Sequence, residues 1–443
     1  MSQEPKTRKK STVRHTRAIQ YSRTKRPVST PTDEQIKERL TELVHPATLG
    51  QVSYFHSLGL RARTLNLVVM MAFVLELIWR QFSGVCELTR IVQEESVLWA
   101  SPVKVSQQGF SDRLTTMPAK LFGEVLSNVL PVAQKRWQER QRPQSPEIAW
   151  ALEHYSGVYA ADGSTLDALI RKIGLLKDQP TNPLAGRMTA LLDLGSRLPT
   201  KVWYEDDPQA HDQRFWPLIL EALPVNALMM IDMGYINFYM FAQMTQQNKR
   251  FITRAKSNLV FELDETLFEN SKARDRQIWV GTGESRQQLR LVEILYRGKW
   301  FRYLTNELDA KRLPTAYVVA LYWQRWRIED AYNTVKRLLG LAYFWCGAQN
   351  AVMLQVWATW LLYVVLIDLT DAVAEALHMP FSTISTEMVY RGLYFFTQAR
   401  QRGAATDVVT YFAQNTKLLG IVKRKHKSDK PDPLVFVHSL TVS

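Results

Sequence analysis

The spacing of apolar residues predicts a helical N-terminal region over residues 33–140. Asp33–Leu43 is polar and helix-prone, Leu65–Arg80 is apolar, and Val105–Leu121 has the pattern of two helices separated by a break next to Pro118. Pairs of helices occur in many helical domains. The pattern therefore leaves open whether this region reads DNA as a helix-turn-helix.

Beyond a proline-containing linker at Gln138–Glu147, the pattern changes to alternating strands and helices. Short apolar runs predict three strands in meander order at residues 158–161, 188–194 and 200–204. A helix, a strand, a second helix and a fifth strand are then predicted at His211–Leu223, Ala227–Ile231, Phe238–Gln247 and Phe251–Arg254. This order favours an α/β layer arrangement, in which helices cover a mixed sheet.

The remaining chain is predicted to contain a separate β-rich insertion and more helices. Alternating residues mark the insertion, and a helix then runs from Thr315 to Leu339, between Pro314 and Gly340. Two or three further helices close the chain. The predicted organisation is a disordered basic tail (1–30), a helical DNA-binding domain (31–140), an α/β core (150–257 and 307–345), the β-rich insertion (258–306) and a C-terminal helical region with a basic tail (346–443).

Two apolar segments are candidates for membrane helices. Ala351–Ile367 carries no charge, but it contains Gln355 and Thr359 and barely reaches the length that spans a bilayer. Leu65–Trp79 is shorter and contains Glu76. Both segments are therefore expected to be buried core helices, and no membrane function is predicted.

Charge is concentrated at the N-terminus. The chain carries 56 Lys and Arg against 42 Asp and Glu, a formal charge of +14. Residues 1–30 supply +8 of this charge, and a second basic cluster spans Lys423–Lys430. The excess favours an anionic partner, although either cluster could also serve only for solubility. Two cysteines 260 positions apart argue against disulfides and zinc sites, which favours the reducing cytoplasm.

The helix at Thr315–Leu339 carries a cluster of functional groups on one face. Tyr322, Arg325, Glu329 and Lys336 fall within a sector of about 60° at about 100° per residue. Apolar residues occupy much of the other side, so the helix can bury one face and direct the other at a site. A solvated face with ion pairs is the alternative interpretation.

Two aspartates complete a candidate metal site with Glu329. Asp162 and Asp232 each follow an apolar strand and precede a glycine by one or two positions. Such an aspartate is often a turn residue when taken alone. Together with Glu329, however, they could hold two divalent metal ions of the kind that phosphodiester chemistry uses.

The motif Tyr322-x2-Arg325-x3-Glu329-x6-Lys336 resembles the C-terminal signature of bacterial DDE transposases of the insertion-sequence-four type, the family of transposon-five transposase. The segments around Asp162 and Asp232 are similar to the first and second aspartate motifs of that family. The resemblance covers roughly residues 156–341. It implies an α/β fold with an RNase H-like catalytic core, interrupted by a β-rich insertion and accompanied by an all-α N-terminal domain.

The resemblance also implies roles for individual residues. The catalytic, metal-binding acids would be Asp162, Asp232 and Glu329, with two Mg²⁺ or Mn²⁺ ions as cofactors. Tyr322, Arg325 and Lys336 would contact phosphates of the transposon end. Arg254 and Lys256, in a segment similar to the basic strand of the family, would also bind DNA. Trp300 or Phe301 would stack on a flipped base, unless these rings belong to the core of the sheet.

The implied function is cut-and-paste transposition by a DNA transposase, through metal-dependent strand cleavage and strand transfer. The implied partners are double-stranded DNA, as transposon ends with terminal inverted repeats and as target DNA, and a second copy of the chain in a homodimer on paired ends. The implied location is cytoplasmic and nucleoid-associated. Two alternatives stay open: a metal-dependent DNA nuclease that never joins strands, and a catalytically inactive DNA-binding protein derived from a transposase.

Overall fold

The computed structural model describes residues 34–60, 63–82, 84–166, 186–207, 210–341, 344–345, 348–424 and 432–441. The predicted N-terminal basic tail lies outside the described residues, as does most of the second basic cluster.

Among the residues that the structure describes, seven α-helices precede the first strand, in agreement with the helical pattern of the sequence. They are α1 (Glu34–Gly50), α2 (Val52–Ser57), α3 (Leu67–Trp79), α4 (Val85–Glu94), α5 (Gln107–Thr116), α6 (Lys120–Glu139) and α7 (Pro146–His154). The Ser106 side chain caps α5 by accepting a hydrogen bond from the Gly109 amide at 3.0 Å. The chain breaks before α6, next to Pro118, as the sequence predicts.

The centre of the protein is a mixed sheet. Its first five strands are β1 (Val158–Thr165), β2 (Arg187–Asp193), β3 (Pro199–Glu205), β4 (Leu228–Ile231) and β5 (Arg250–Arg254), in the spatial order β3-β2-β1-β4-β5. The β1, β2 and β3 strands form an antiparallel meander, whereas β1, β4 and β5 are parallel. This strand order, with an antiparallel second strand, is the topology of an RNase H-like core, so the predicted fold class is confirmed.

The strands of the β-rich segment extend the same sheet. They are β6 (Glu262–Glu269), β7 (Ala273–Val280), β8 (Gln287–Tyr296) and β9 (Lys299–Thr305). The β9 strand pairs with β5, where Ile252 lies opposite Thr305, and the order continues as β9-β8-β7-β6. The segment therefore does not form a sheet of its own, because β9 satisfies the backbone groups along the free edge of β5.

Helices cover both faces of the central strands. One face packs against α8 (Trp216–Ala222) and α9 (Phe238–Gln246), and the other packs against the helices that follow the sheet. Neighbouring residues of β1 divide between the two cores, with Ala160 in one and Ala161 in the other. The sheet therefore lies between two hydrophobic layers.

The predicted helix at Thr315–Leu339 is interrupted in the structure. It consists of α10 (Thr315–Gln324), α11 (Trp326–Asn333) and a π-helical turn at Thr334–Leu338. At the junction of α10 and α11, two backbone hydrogen bonds join residues three apart, as in a 3-10 helix, instead of four apart. The Arg325 amide donates to the Tyr322 carbonyl and the Ile328 amide donates to the Arg325 carbonyl, both at 3.1 Å. The interruption therefore places Arg325 at a local change of helical geometry.

The longest helix, α12 (Gln349–Ala376), is long and apolar enough to cross a membrane, but 89% of its apolar window is buried inside the protein. This burial confirms the expectation of a core helix. In the described part of the chain after α12, four shorter α-helices follow: α13 (Thr386–Gln401), α14 (Val408–Gln414), α15 (Thr416–Leu419) and α16 (Pro433–Thr441).

Two buried carboxylates near the end of α12 tie the helical regions together. Asp368 accepts from Arg140 Nη2 at 2.7 Å and lies 3.3 Å from Arg39 Nη1, and Asp371 pairs with Arg140 and Arg142. Arg39 belongs to α1, and Arg140 and Arg142 lie in the linker after α6. This network joins the first helix, the linker and the core helix.

We predict that Asp368→Ala lowers the free energy of unfolding by about 3–5 kcal/mol, because it leaves buried guanidinium groups without their counter-charge. Urea denaturation of the purified chain measures the change. Glu139→Ala is the matched control, since Glu139 forms an exposed pair with Lys135 at 3.8 Å and should contribute less than about 1 kcal/mol. Equal effects of the two substitutions would contradict a stabilising role for the network.

Candidate active site

Asp162 and Asp232 lie side by side where the parallel pairing of β1 with β4 ends. Ala161 of β1 pairs with Ile231 of β4, so the aspartate that follows each of them has the same register position. The Asp162 carboxylate accepts from the Gly163 amide at 2.8 Å, and that of Asp232 accepts from the Gly234 amide at 3.4 Å. Neighbouring strands are only about 4.8 Å apart, so the register brings the two residues close together.

Glu329 reaches the same place from α11, and Arg325 joins the three acids. Arg325 Nη1 lies 3.1 Å from Asp162 Oδ2, and Nη2 lies 3.0 Å from Glu329 Oε1 and 3.7 Å from Asp232 Oδ1. Arg325 is 6% exposed, whereas the Asp232 and Glu329 side chains are partly open to solvent. The structure thus brings together the three predicted acids and one predicted cation.

The surroundings of Asp162 disfavour its charged form. Its pKa is raised to about 6, chiefly by burial; the Arg325 charge acts in the opposite direction, and the charge of the neighbouring Asp232 adds to the rise. With all three acids ionised, the cluster and Arg325 together carry a charge of −2. Repulsion between the acids is therefore only partly compensated within the protein.

Tyr332 fixes α11 to the sheet at this position. Its hydroxyl donates to the Asp162 carbonyl at 2.6 Å and accepts from the Ala190 amide at 2.9 Å. Tyr332 lies one helical turn after Glu329 and is almost fully buried. The two hydrogen bonds therefore set the distance between the Glu329 turn and β1.

Two other residues of the signature face the protein interior. Lys336 is 4% exposed, and its Nζ donates to the Ser164 hydroxyl and to the Thr165 carbonyl, the latter at 2.8 Å. Tyr322 is also 4% exposed, and its ring centroid lies 5.3 Å from that of Tyr303. In this arrangement Lys336 thus holds α11 and the π turn against the end of β1.

The remaining predicted DNA contacts lie along β5 and β9. The Arg254 guanidinium carbon lies 5.1 Å from the centroid of the Phe301 ring, and Lys256 is exposed. Trp300 is partly exposed and is covered by Arg274 at 4.6 Å. Of the two aromatic candidates, Trp300 therefore presents the more accessible ring.

Three residues near the cluster are not identified by the sequence patterns. Asp212 pairs with Arg187, and a Cβ at Gly163 would overlap both of these side chains. Asp212 lies in a turn before α8 rather than after a strand, so its carboxylate carries no sequence signal. Trp326 is 54% exposed, and the Arg325 guanidinium lies 5.4 Å from the centroid of its ring. The sequence does not distinguish Trp326 from any other aromatic residue on a helix surface.

The donor chemistry of the cluster suits a hard divalent cation, because it consists of carboxylate oxygens with an excess of negative charge. Among the described residues, however, no group of three or more His, Cys, Asp or Glu side chains is arranged to hold a metal ion. Arg325 lies between the three acids and occupies the position of a counter-cation.

Comparisons with known proteins point to one family. The family model described as transposase DDE domain matches residues 184–365. The chain is 23% identical over 163 residues to the protein named as the transposase for insertion sequence element IS4SA of Synechocystis sp., which covers 36% of this chain and 46% of that protein. It is 25% identical over 162 residues to the probable transposase for insertion sequence element IS5377 of Geobacillus stearothermophilus, covering 35% and 42%. The matched segment thus spans less than half the length of these relatives.

Among solved structures, the chain has a TM-score of 0.40 to a cryo-electron microscopy structure of the piggyBac transposase synaptic complex with hairpin DNA. The sequence identity is 12%, and the match covers 91% of this chain and 86% of that chain. A TM-score of this size carries no weight for fold or function. The sequence comparisons agree with one another: residues 184–365 match the transposase DDE domain model, and the chain is similar to proteins named as insertion-sequence transposases.

Proposed function

We propose that the protein is a DNA transposase that cleaves the ends of its element and joins them to target DNA. The observation that carries the proposal is the convergence of Asp162, Asp232 and Glu329 on the Arg325 guanidinium. Three acids from two parallel strands and one helix match the order of acidic residues in the DDE family. The relatedness to insertion-sequence transposases supports the same function.

In this proposal the three acids are the metal-binding catalytic residues, and Mg²⁺ or Mn²⁺ is the cofactor. Two such ions, when bound, would supply activation of the attacking oxygen and stabilisation of the leaving oxygen. The negative charge that remains on the cluster supports this role, since Arg325 neutralises only part of it. Arg325 itself can form bidentate contacts with a DNA phosphate as well as with a carboxylate.

The proposed DNA path runs from the carboxylates across β5 and β9. Arg254 and Lys256 lie along this path and would neutralise backbone phosphates, and the accessible Trp300 ring would stack on an unpaired base. The helical N-terminal region would hold the terminal inverted repeats. A homodimer on paired ends is proposed because joining requires two DNA ends at once.

We predict that Glu329→Gln and Asp232→Asn each lower the rate of DNA cleavage at least 100-fold, since metal stabilisation of the transition state is worth several kcal/mol, or roughly two decades or more in rate. Cleavage is measured with the purified chain and labelled DNA that carries the ends flanking its gene, in Mg²⁺ or in EDTA. Binding of the same DNA should persist in both variants.

The matched control for this experiment is Glu153→Gln, because Glu153 is an exposed carboxylate on α7. It should cleave like the unsubstituted chain. Nicks and joined products that need metal and Glu329 would establish transposition chemistry. Cleavage by Glu329→Gln at the rate of the control would refute the assignment of the third acid, while unspecific cutting without joining would indicate a nuclease.

We also predict that Tyr332→Phe lowers the cleavage rate at least tenfold and leaves DNA binding unchanged. Loss of the hydroxyl removes both hydrogen bonds that set α11 against β1, and small displacements of catalytic groups can cost about 100-fold in rate. The free energy of unfolding should fall by about 1–3 kcal/mol, because the partners are left unsatisfied. Tyr239→Phe, at an exposed position of α9, is the control. An unchanged rate in Tyr332→Phe, at temperatures where it is folded, would rule out a positioning role.

A further inference from the structure

The side of α11 that faces away from the carboxylates lines a cavity of about 590 Å³. Arg327, Asp330 and Thr334 lie on the wall of this cavity. These residues follow Arg325 by two, five and nine positions. At about 100° per residue, their side chains leave the helix axis about 140–200° away from that of Arg325, whereas Glu329 lies within about 40° of it. The cavity and the carboxylate cluster therefore occupy opposite faces of one helix.

The cavity wall carries an excess of positive charge. Five cations line it, namely Arg197, Arg327, Arg337, Arg391 and Lys423, together with the acids Asp330 and Glu387. Each acid already has a partner, since Arg327 Nη1 lies 3.3 Å from Asp330 and Arg391 Nε lies 2.9 Å from Glu387. Among the described residues, three of these cations thus line the cavity without a carboxylate in ion-pair contact.

Arg197 is the most unusual of these cations. It is 8% exposed, and its guanidinium forms no hydrogen bond or ion pair with any residue that the structure describes, while the Phe381 ring lies 5.7 Å away. The Arg197 backbone is in the left-handed region, with a φ of +64°. A hydrogen bond from the Tyr363 hydroxyl to the Arg197 carbonyl, at 2.8 Å, stabilises this conformation. A desolvated, unpaired charge destabilises a folded protein, so its position indicates an anion that binds between these cations.

The electrostatics of the wall agree with this interpretation. Burial lowers the pKa of Arg197 to about 9, with a further contribution from the Arg327 charge. The pKa of Lys423 falls to about 8 through desolvation and through the charges of Arg327 and Arg197. The charge of Asp330 acts in the opposite direction on both groups but does not cancel the lowering. A bound anion would further offset the repulsion of Arg197 and Lys423 by their neighbouring cations.

A helix terminus adds to the positive potential. Ser385 and Thr386 line the cavity at the N-terminus of the 16-residue helix α13. The helix dipole places partial positive charge at this end, which favours a bound anion. The buried guanidinium and the helix terminus come from distant parts of the chain and meet at the same cavity.

We propose that this cavity is a binding site for phosphate groups, either of a DNA backbone or of a free polyphosphate anion. Guanidinium groups bind phosphate oxygens in bidentate fashion, and a multiply charged oxyanion matches the excess of three cations better than a single carboxylate does. The site is separate from the carboxylate cluster, and it shares α11 and the following π turn with it.

The test is a calorimetric titration of the purified full-length chain with inorganic pyrophosphate, in the absence of Mg²⁺. Arg337→Gln and Lys423→Gln should each weaken binding about tenfold, the size expected for loss of a charge-assisted hydrogen bond. Arg90→Gln, an exposed arginine on α4 that does not line the cavity, should bind like the unsubstituted chain. Undetectable binding, or equal binding in all of these variants, would overturn the proposal.

Arg197→Gln adds a readout that a purely structural arginine would not give. Without ligand its Tm should be equal to or higher than that of the unsubstituted chain, because an unpaired buried charge has been removed. The rise in Tm that pyrophosphate causes in the unsubstituted chain should be absent. A large loss of Tm without ligand would instead indicate that Arg197 supports the fold.

Competition with a short DNA duplex distinguishes the two sources of phosphate. If pyrophosphate displaces the duplex and Arg337→Gln lowers both duplex affinity and its salt dependence, the ligand is the DNA backbone. If only pyrophosphate binding responds to Arg337→Gln, the ligand is a free polyphosphate. These tests do not depend on cleavage, so they can succeed or fail independently of the proposed transposase activity.

Discussion

Mutual repulsion between Asp162, Asp232 and Glu329 is the constraint on which the arrangement of the core depends. Like charges at short distance destabilise a fold unless other forces hold the segments that carry them. Arg325 supplies one compensating charge at 3.0–3.7 Å from the three acids. Since one cation cannot neutralise three carboxylates, the remaining stabilisation has to come from packing and hydrogen bonds away from the site.

The scaffold provides this support at three levels. The parallel register of β1 and β4 fixes the two aspartates at the same height. Tyr332 and Lys336 then hold α11 and the π turn to β1 through groups that are nearly buried. Behind them, the long helix α12 fills the core. The acids therefore lie within β1, directly after β4 and within α11, and this attachment to regular elements favours a cluster of defined geometry.

Sequence patterns predicted those parts of the structure that depend on local periodicity and strand ends. Asp232 directly follows β4, and Asp162 follows the buried half of β1, although the strand itself continues to Thr165 beyond its predicted end. Arg325 and Glu329 remain on one side of the helix across the junction of α10 and α11. The patterns could not predict the pairing of β9 with β5, because edge pairing depends on tertiary contacts. They also missed Asp212, whose carboxylate reaches the glycines of the site from a turn that is distant in sequence.

The two faces of α11 carry opposite charge, so the cavity and the carboxylate cluster are connected through one short helical segment. Glu329 and its partners form a negative cluster on one face, and Arg327 lines a positive cavity on the other. The π turn that follows contributes Lys336 to the first face and Arg337 to the second. Turns of this type occur often at functional sites. An anion bound in the cavity would therefore act on the same short segment that holds Glu329 opposite the aspartates.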